Sequence, residues 1–150
     1  AHYWNLYTSN TTGDFEFFKQ GIKRATINQT SGAYTAVSDA RLKTNVSLLG
    51  NVLPGVMSLQ AKTYQYKDVQ DPRYFTGFIA QELEKIFPQF VYFGGDDQQY
   101  YTVDYAGMSV IALKAIQEQQ TQIEAQQTEL EALRAELASL KTMLLQLQQK

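Results

Sequence analysis

Residues 108–150 read MSVIALKAIQEQQTQIEAQQTELEALRAELASLKTMLLQLQQK, and this stretch decides the fold. It holds no Gly, Pro, Phe, Tyr or Trp and is rich in Gln, Glu, Ala and Leu, the composition of one long helix. Ile116, Ile123, Leu130, Leu137 and Leu144 recur every seven residues, and three places after each stand Gln119, Gln126, Leu133, Leu140 and Leu147. These two series form an a/d seam, half polar at first and fully apolar later. With the first series at a, Glu129 and Glu136 fall at g, and Arg134 and Lys141 fall at e five residues on, the spacing of ion pairs between parallel chains. From Ile116 to the last residue such a helix spans about 52 Å at ~1.5 Å per residue. That is longer than a small domain is wide, so the helix is expected to pair with copies of itself. Gln at two successive d positions can hydrogen-bond around a threefold axis, and Leu and Ile at both a and d do not demand a dimer. The expectation is a parallel homotrimer.

Working outward, the composition changes near Asp104. All 19 aromatic residues lie at or before Tyr105, all nine Gly at or before Gly107 and all three Pro at or before Pro88. Phe15–Phe18, Ile22–Ile27 and Ala33–Val37 read as short strands of a meander, separated by Lys19-Gln20-Gly21 and by Asn28-Gln29-Thr30-Ser31-Gly32. Leu48 to Leu59 reads as a short helix interrupted near Pro54-Gly55, and Lys62–Tyr66 as a strand. Apolar residues at 79, 80, 83, 86 and 87 predict an amphipathic helix over Phe78–Phe87, ended by Pro88. Phe90–Phe93 and Gln99–Val103 flank Gly94-Gly95-Asp96-Asp97 as a hairpin. The fold class expected is α+β: a small intertwined strand-and-helix body followed by a long C-terminal helix. Its many aromatic side chains are expected to be core and subunit contacts.

Composition also excludes whole classes of function. With no Cys there is no disulfide, no cysteine nucleophile and no thiolate zinc site, and the lone His2 argues against a Ser-His-Asp triad or a histidine metal site. No metal and no cofactor is expected. Thirteen Lys and Arg against 15 Asp and Glu give a net charge of −2, without the basic excess of a nucleic-acid surface. No run of 18 apolar residues is present, so no membrane partner is expected, and the start lacks the plan of a signal peptide. The chain begins with Ala1, which suggests a piece of something longer. Asp96-Asp97 in a glycine loop reads as a solvated turn, not a glycosidase pair or a cation site.

One constellation could carry chemistry: Ser38-Asp39-Ala40-Arg41-Leu42-Lys43, directly after the strand ending at Val37. The plain reading is a polar turn that caps a helix start. The chemical reading makes Ser38 a nucleophile and Lys43 its base, since a Ser-Lys pair is the route to an activated hydroxyl that remains without His or Cys. Lysine accepts a proton only in its neutral form. Burial among the aromatic side chains and the like charge of Arg41 are what this reading invokes to favour that form.

SDARLK at 38–43, GFIAQELEKIFPQFV at 77–91 and YYTVDYAGMSVIALKAIQEQQTQIEAQQTELEAL at 100–133 together resemble the C-terminal intramolecular chaperone auto-processing domain of phage endosialidases, tailspikes and tail fibres. The resemblance covers about residues 13–140, in the right order. It implies a domain that trimerises, guides folding of the β-rich protein ahead of it, and then cuts itself off before the serine of an SDxRxK motif. The cut would fall between Val37 and Ser38, with Ser38 as nucleophile and Lys43 as its partner. Residues 1–37 would be the strand-rich end of the parent protein, 38–104 the auto-processing body and 105–150 the coiled-coil helix. The folding client would be the N-terminal remainder of the same polypeptide, in the host cell cytoplasm during phage assembly, with the parent in the virion tail. No role is carried over to Asp39, Arg41, Gln81 or Glu82; support of the dyad and subunit contact are both open to them.

Physical chemistry supplies a mechanism beside the resemblance. The Ser38 hydroxyl can attack the carbonyl of its own preceding residue, Val37, through a five-membered ring, shifting the acyl group from N to O before water resolves the ester. Amide resonance opposes this, so the step needs a distorted peptide, a deprotonated hydroxyl and donors for the oxyanion. The competing reading is a trimeric structural or receptor-binding fibre tip that never cleaves, with Ser38 a mere cap.

Overall fold

The computed structural model describes residues 3–67, 71–94 and 99–148, and the chain divides into two compact units, 1–48 and 49–150. The α+β class holds: three small antiparallel sheets are followed by one long C-terminal helix.

The first unit is a four-stranded meander of β1 (Trp4–Thr8), β2 (Phe15–Lys19), β3 (Ile22–Ile27) and β4 (Tyr34–Ala36), paired in sequence order. Gln20 and Gly21 turn β2 into β3 with φ of 52° and 76° while Lys19 pairs with Ile22. Two successive positive φ values match the twist of the hairpin, and glycine supplies the second without steric cost. Asn28 closes the next turn. Its side-chain oxygen accepts from Thr30 N at 3.1 Å and Ser31 N at 2.9 Å, and its amide donates to Asp14 Oδ1 at 3.1 Å. That last bond ties the β3–β4 loop to the end of the β1–β2 loop. The register aligns Leu6, Phe17, Ala25 and Ala36 across the four strands, and Ala25 is the buried centre of that row. The strand of Ala33–Val37 is narrower than expected, but Val37 N still donates to Arg24 O at 2.8 Å and so continues the ladder by one residue.

The second unit runs α1 (Leu53–Ser58), β5 (Lys62–Tyr64), β6 (Phe75–Gly77), α2 (Ala80–Glu84), a 3₁₀ turn at Pro88–Phe90, β7 (Val91–Phe93), β8 (Tyr101–Val103) and α3 (Tyr105–Gln148). Its core gathers Val52, Leu83, Phe87, Ile111 and Ala115, with Leu83 the most deeply buried at 1% exposure. Only the first turns of α3 pack there. Asp104 starts α3 by accepting from Gly107 N at 2.8 Å, and Tyr105 Oη accepts from Phe78 N at 2.8 Å. Glu118 holds the start of α1: its carboxylate accepts from Val52 N at 3.1 Å and from Leu53 N at 2.9 Å. Those amides have no partner within so short a helix, so an acid on another helix satisfies them.

Three expectations are corrected here. The helix expected over Leu48–Leu59 starts only at Leu53, and Pro54 sits in its first turn, where the missing N–H costs nothing, instead of interrupting it. The helix over Phe78–Phe87 is limited to Ala80–Glu84, because the chain tightens to Ile86 N→Leu83 O and then meets Pro88. Of the five apolar positions, Leu83 and Phe87 are in the core and Ile86 packs against it, whereas Ile79 is exposed. The strand at Lys62 ends at Tyr64, not Tyr66, and pairs with β6, a strand that the sequence does not announce. β1 is likewise a strand beyond those expected from the sequence. The expected hairpin of β7 and β8 is present; Gly95, Asp96 and Asp97 lie outside the described residues, as does His2.

Candidate functional site

The end of β4 delivers the SDARLK segment. With Val37 fixed to β3, Ser38 is the next residue, and Asp39 is extended at φ −70° and ψ 133° before the chain turns. Ala40–Leu42 form a single 3₁₀ turn closed by Leu42 N→Asp39 O at 3.1 Å and Lys43 N→Ala40 O at 3.0 Å. Asp39 caps this turn by accepting from Arg41 N at 2.8 Å. The sequence dictates the turn locally, since an Asp ahead of a free amide two residues on is a favoured cap.

The turn folds Lys43 back toward the strand end. Lys43 Nζ donates to Ser38 Oγ at 2.7 Å, a short contact for an amine and a hydroxyl. Arg41 is held separately: its Nε donates to Asp39 Oδ1 at 3.0 Å and its terminal nitrogen to Oδ2 at 2.7 Å, the two-pronged geometry in which guanidinium and carboxylate fit best. Arg41 holds the Asp39 carboxyl below the ordinary aspartate range through these bonds, aided by the charge of Lys43, and Asp39 raises Arg41 in turn. Val37, Ser38, Asp39, Arg41 and Lys43 are thus brought together within one short segment.

The environment differs from what the chemical reading invoked. Ser38, Arg41 and Lys43 are exposed in the single chain, and Asp39 is half-buried. Arg41 is not a free like charge beside Lys43, because Asp39 takes it up.

The seam residues stand elsewhere, along α3. Ile116, Gln119, Ile123, Gln126, Leu130, Leu133, Leu137, Leu140, Leu144 and Leu147 are all exposed in the single chain. Gln81 and Glu82 lie on α2, where Glu82 pairs with Lys62 at 3.5 Å. Among the described residues no group of three acidic or histidine side chains is placed to hold a metal, and no helix is long and apolar enough to cross a membrane.

Two backbone ties flank this segment, and the sequence announces only one of them. The carbonyl of Arg24 fixes Val37 within the expected meander, whereas Glu118 fixes the end of the loop that follows the candidate site from 65 residues away, with no local signal. Residues 38–92 match a family model described as the chaperone of endosialidase and named as a peptidase family. The match begins on Ser38, and the family is the one that the sequence resembles. No curated protein and no solved structure matches the chain.

Proposed function

Taking the chaperone-of-endosialidase match over residues 38–92 as the premise, we propose that this chain is a trimerising intramolecular chaperone of a phage tail fibre or tailspike that releases itself by cutting between Val37 and Ser38. The observation that carries the reading is the 2.7 Å contact of Lys43 Nζ with Ser38 Oγ. Lys43 in its neutral form takes the hydroxyl proton as Oγ bonds to the Val37 carbonyl carbon. The C–N bond to Ser38 then breaks, and its nitrogen takes the proton back from Lys43. Water attacks the resulting ester, leaving a carboxylate on Val37 and the Ser38 hydroxyl restored. Each chain reacts once. Residues 1–37 stay with the parent, and 38–150 leave as body and helix.

Association is supported by the helix. A 44-residue helix with every described residue exposed beyond Glu118, and with Leu or Ile at eight of ten seam positions, has an apolar stripe that its own domain leaves open. Water is unfavourable along such a stripe, and copies of the same helix cover it best. A clamp of this kind brings slow-folding, strand-rich chains into register early. Cleavage then removes the nucleus for reassembly and leaves the fibre kinetically trapped.

Intact-mass spectrometry under denaturing conditions tests the reading. Wild type is expected to give fragments ending at Val37 and starting at Ser38, with Ser38→Ala and Lys43→Ala remaining whole. A single uncut mass in all three sinks the self-cleavage and leaves the permanent fibre tip.

A further inference from the structure

Asp39 and Lys43 are four residues apart on one tight turn, carry opposite charges and are both at the surface. The simplest outcome for that pair would be a salt bridge between them. It does not form, and Lys43 Nζ instead reaches Ser38 Oγ. Arg41 supplies the reason, because it uses both carboxylate oxygens: Oδ1 accepts from Arg41 N and Nε, and Oδ2 from the terminal guanidinium nitrogen. A planar guanidinium with two parallel donors outcompetes a single ammonium for the same carboxylate. Lys43 is nonetheless near enough for its charge to act on Asp39.

We infer that Arg41 is a positioning residue for the self-cleavage: by occupying both oxygens of Asp39 it denies that carboxylate to Lys43 and leaves the lysine on Ser38. This rests on the Ser38–Lys43 reading above. It also assigns opposite effects to two neighbouring groups. Losing Arg41 frees an acid that captures the base, whereas losing the charge of Asp39 removes the trap. Asp39→Asn keeps a side-chain oxygen for Arg41 N, so the turn is retained while the competition ends.

The test is a cleavage time course by intact mass on wild type, Arg41→Ala, and Arg41→Ala combined with Asp39→Asn, with Ser38→Ala as the uncut reference. Arg41→Ala is expected to cut about tenfold more slowly, and the double variant to return to within about threefold of wild type, a non-additivity typical of groups in one network. A merely structural Arg41 predicts a double variant at least as slow as the single one, and that result overturns the inference, as does wild-type speed in Arg41→Ala. A crystal structure of uncut Arg41→Ala gives a second, independent reading. Lys43 Nζ is expected beside the Asp39 carboxylate; finding it still on Ser38 overturns the inference even if no variant ever cleaves. Cleavage of Ser38→Ala at wild-type speed would instead refute the nucleophile assignment while leaving the crystallographic arm standing.

Discussion

Replacing Leu137 and Leu140 together with Ala removes one a/d layer of the α3 seam. In the single chain these side chains are 53% and 56% exposed, so about half of each remains to be covered by a partner. Full burial of a leucine stabilises by about 1.5–3 kcal/mol, and the half that association supplies is about 1 kcal/mol per residue. In the proposed trimer, with two residues in each of three chains, the loss is about 6 kcal/mol, about four decades in the dissociation constant at ~1.4 kcal/mol per decade. Alanine is the best helix former, so weaker assembly would not stem from a poorer helix. Leu145 is a control: it is 60% exposed but falls at b, off the seam, and Leu145→Ala is expected to leave assembly unchanged. Sedimentation equilibrium over a wide concentration range reads all three proteins. A wild-type monomer, or equal weakening by the Leu145 and seam changes, would refute the heptad assignment.

Three further changes probe the second unit. Leu83→Ala opens a cavity among Val52, Phe87, Ile111 and Ala115, and denaturant unfolding is expected to show a loss of about 2–5 kcal/mol. Gly55→Ala places a Cβ 2.7 Å from Phe87 Cζ, and because Phe87 is buried the overpacking is expected to cost about 1–3 kcal/mol, outweighing the gain in helix propensity and lowering the thermal midpoint. Burial raises the Glu118 carboxyl, but hydrogen bonds from Leu53 N and Val52 N and the nearby Lys114 outweigh it and hold the group below its ordinary value. Its stabilisation is therefore full above about pH 4.3 and lost as pH falls through the depressed value, so Glu118→Gln is expected to flatten the acid limb of the stability curve; an identical acid limb would show that the tie to α1 contributes nothing.

Legibility in the sequence followed the range of the interaction. α3 was readable because a seven-residue period and the end of all aromatic, Gly and Pro residues near Asp104 are properties of the chain itself, and the helix does start at Tyr105. The β2–β3 hairpin was readable for the same reason, since Gln20-Gly21 is turn chemistry in place. β6 was not, because a three-residue strand has too little alternation to stand out before its partner Lys62–Tyr64 is known. The start of α1 depends on Glu118, a residue that looks like any other acid in a Gln- and Glu-rich helix. At the candidate site Ser38 and Lys43 were singled out by the lack of Cys and of a usable His and by the SDxRxK resemblance, and one local turn brings them together. The uptake of Arg41 by Asp39 was not, because the sequence shows both partners without saying which cation the acid prefers.

The Ser38–Lys43 contact is local, and under the proposed self-cleavage this sets where control over timing would lie. Ser38 and Lys43 meet through one turn of six residues. The contact alone therefore cannot report that a fibre has folded. A lysine becomes a base only when withdrawal from water favours its neutral form, and the single chain leaves both Lys43 and Ser38 exposed. In the proposed self-cleaving trimer a neighbouring chain would supply that enclosure, and assembly would then gate the chemistry. The Leu137→Ala and Leu140→Ala double variant, diluted until monomeric, is then expected to keep its sheet and its Ser38–Lys43 contact yet remain whole by intact mass. Raising the concentration until it trimerises should restore cutting. Cleavage of the monomer at the wild-type rate would show that the turn is sufficient by itself, and that the coiled coil serves folding without licensing release.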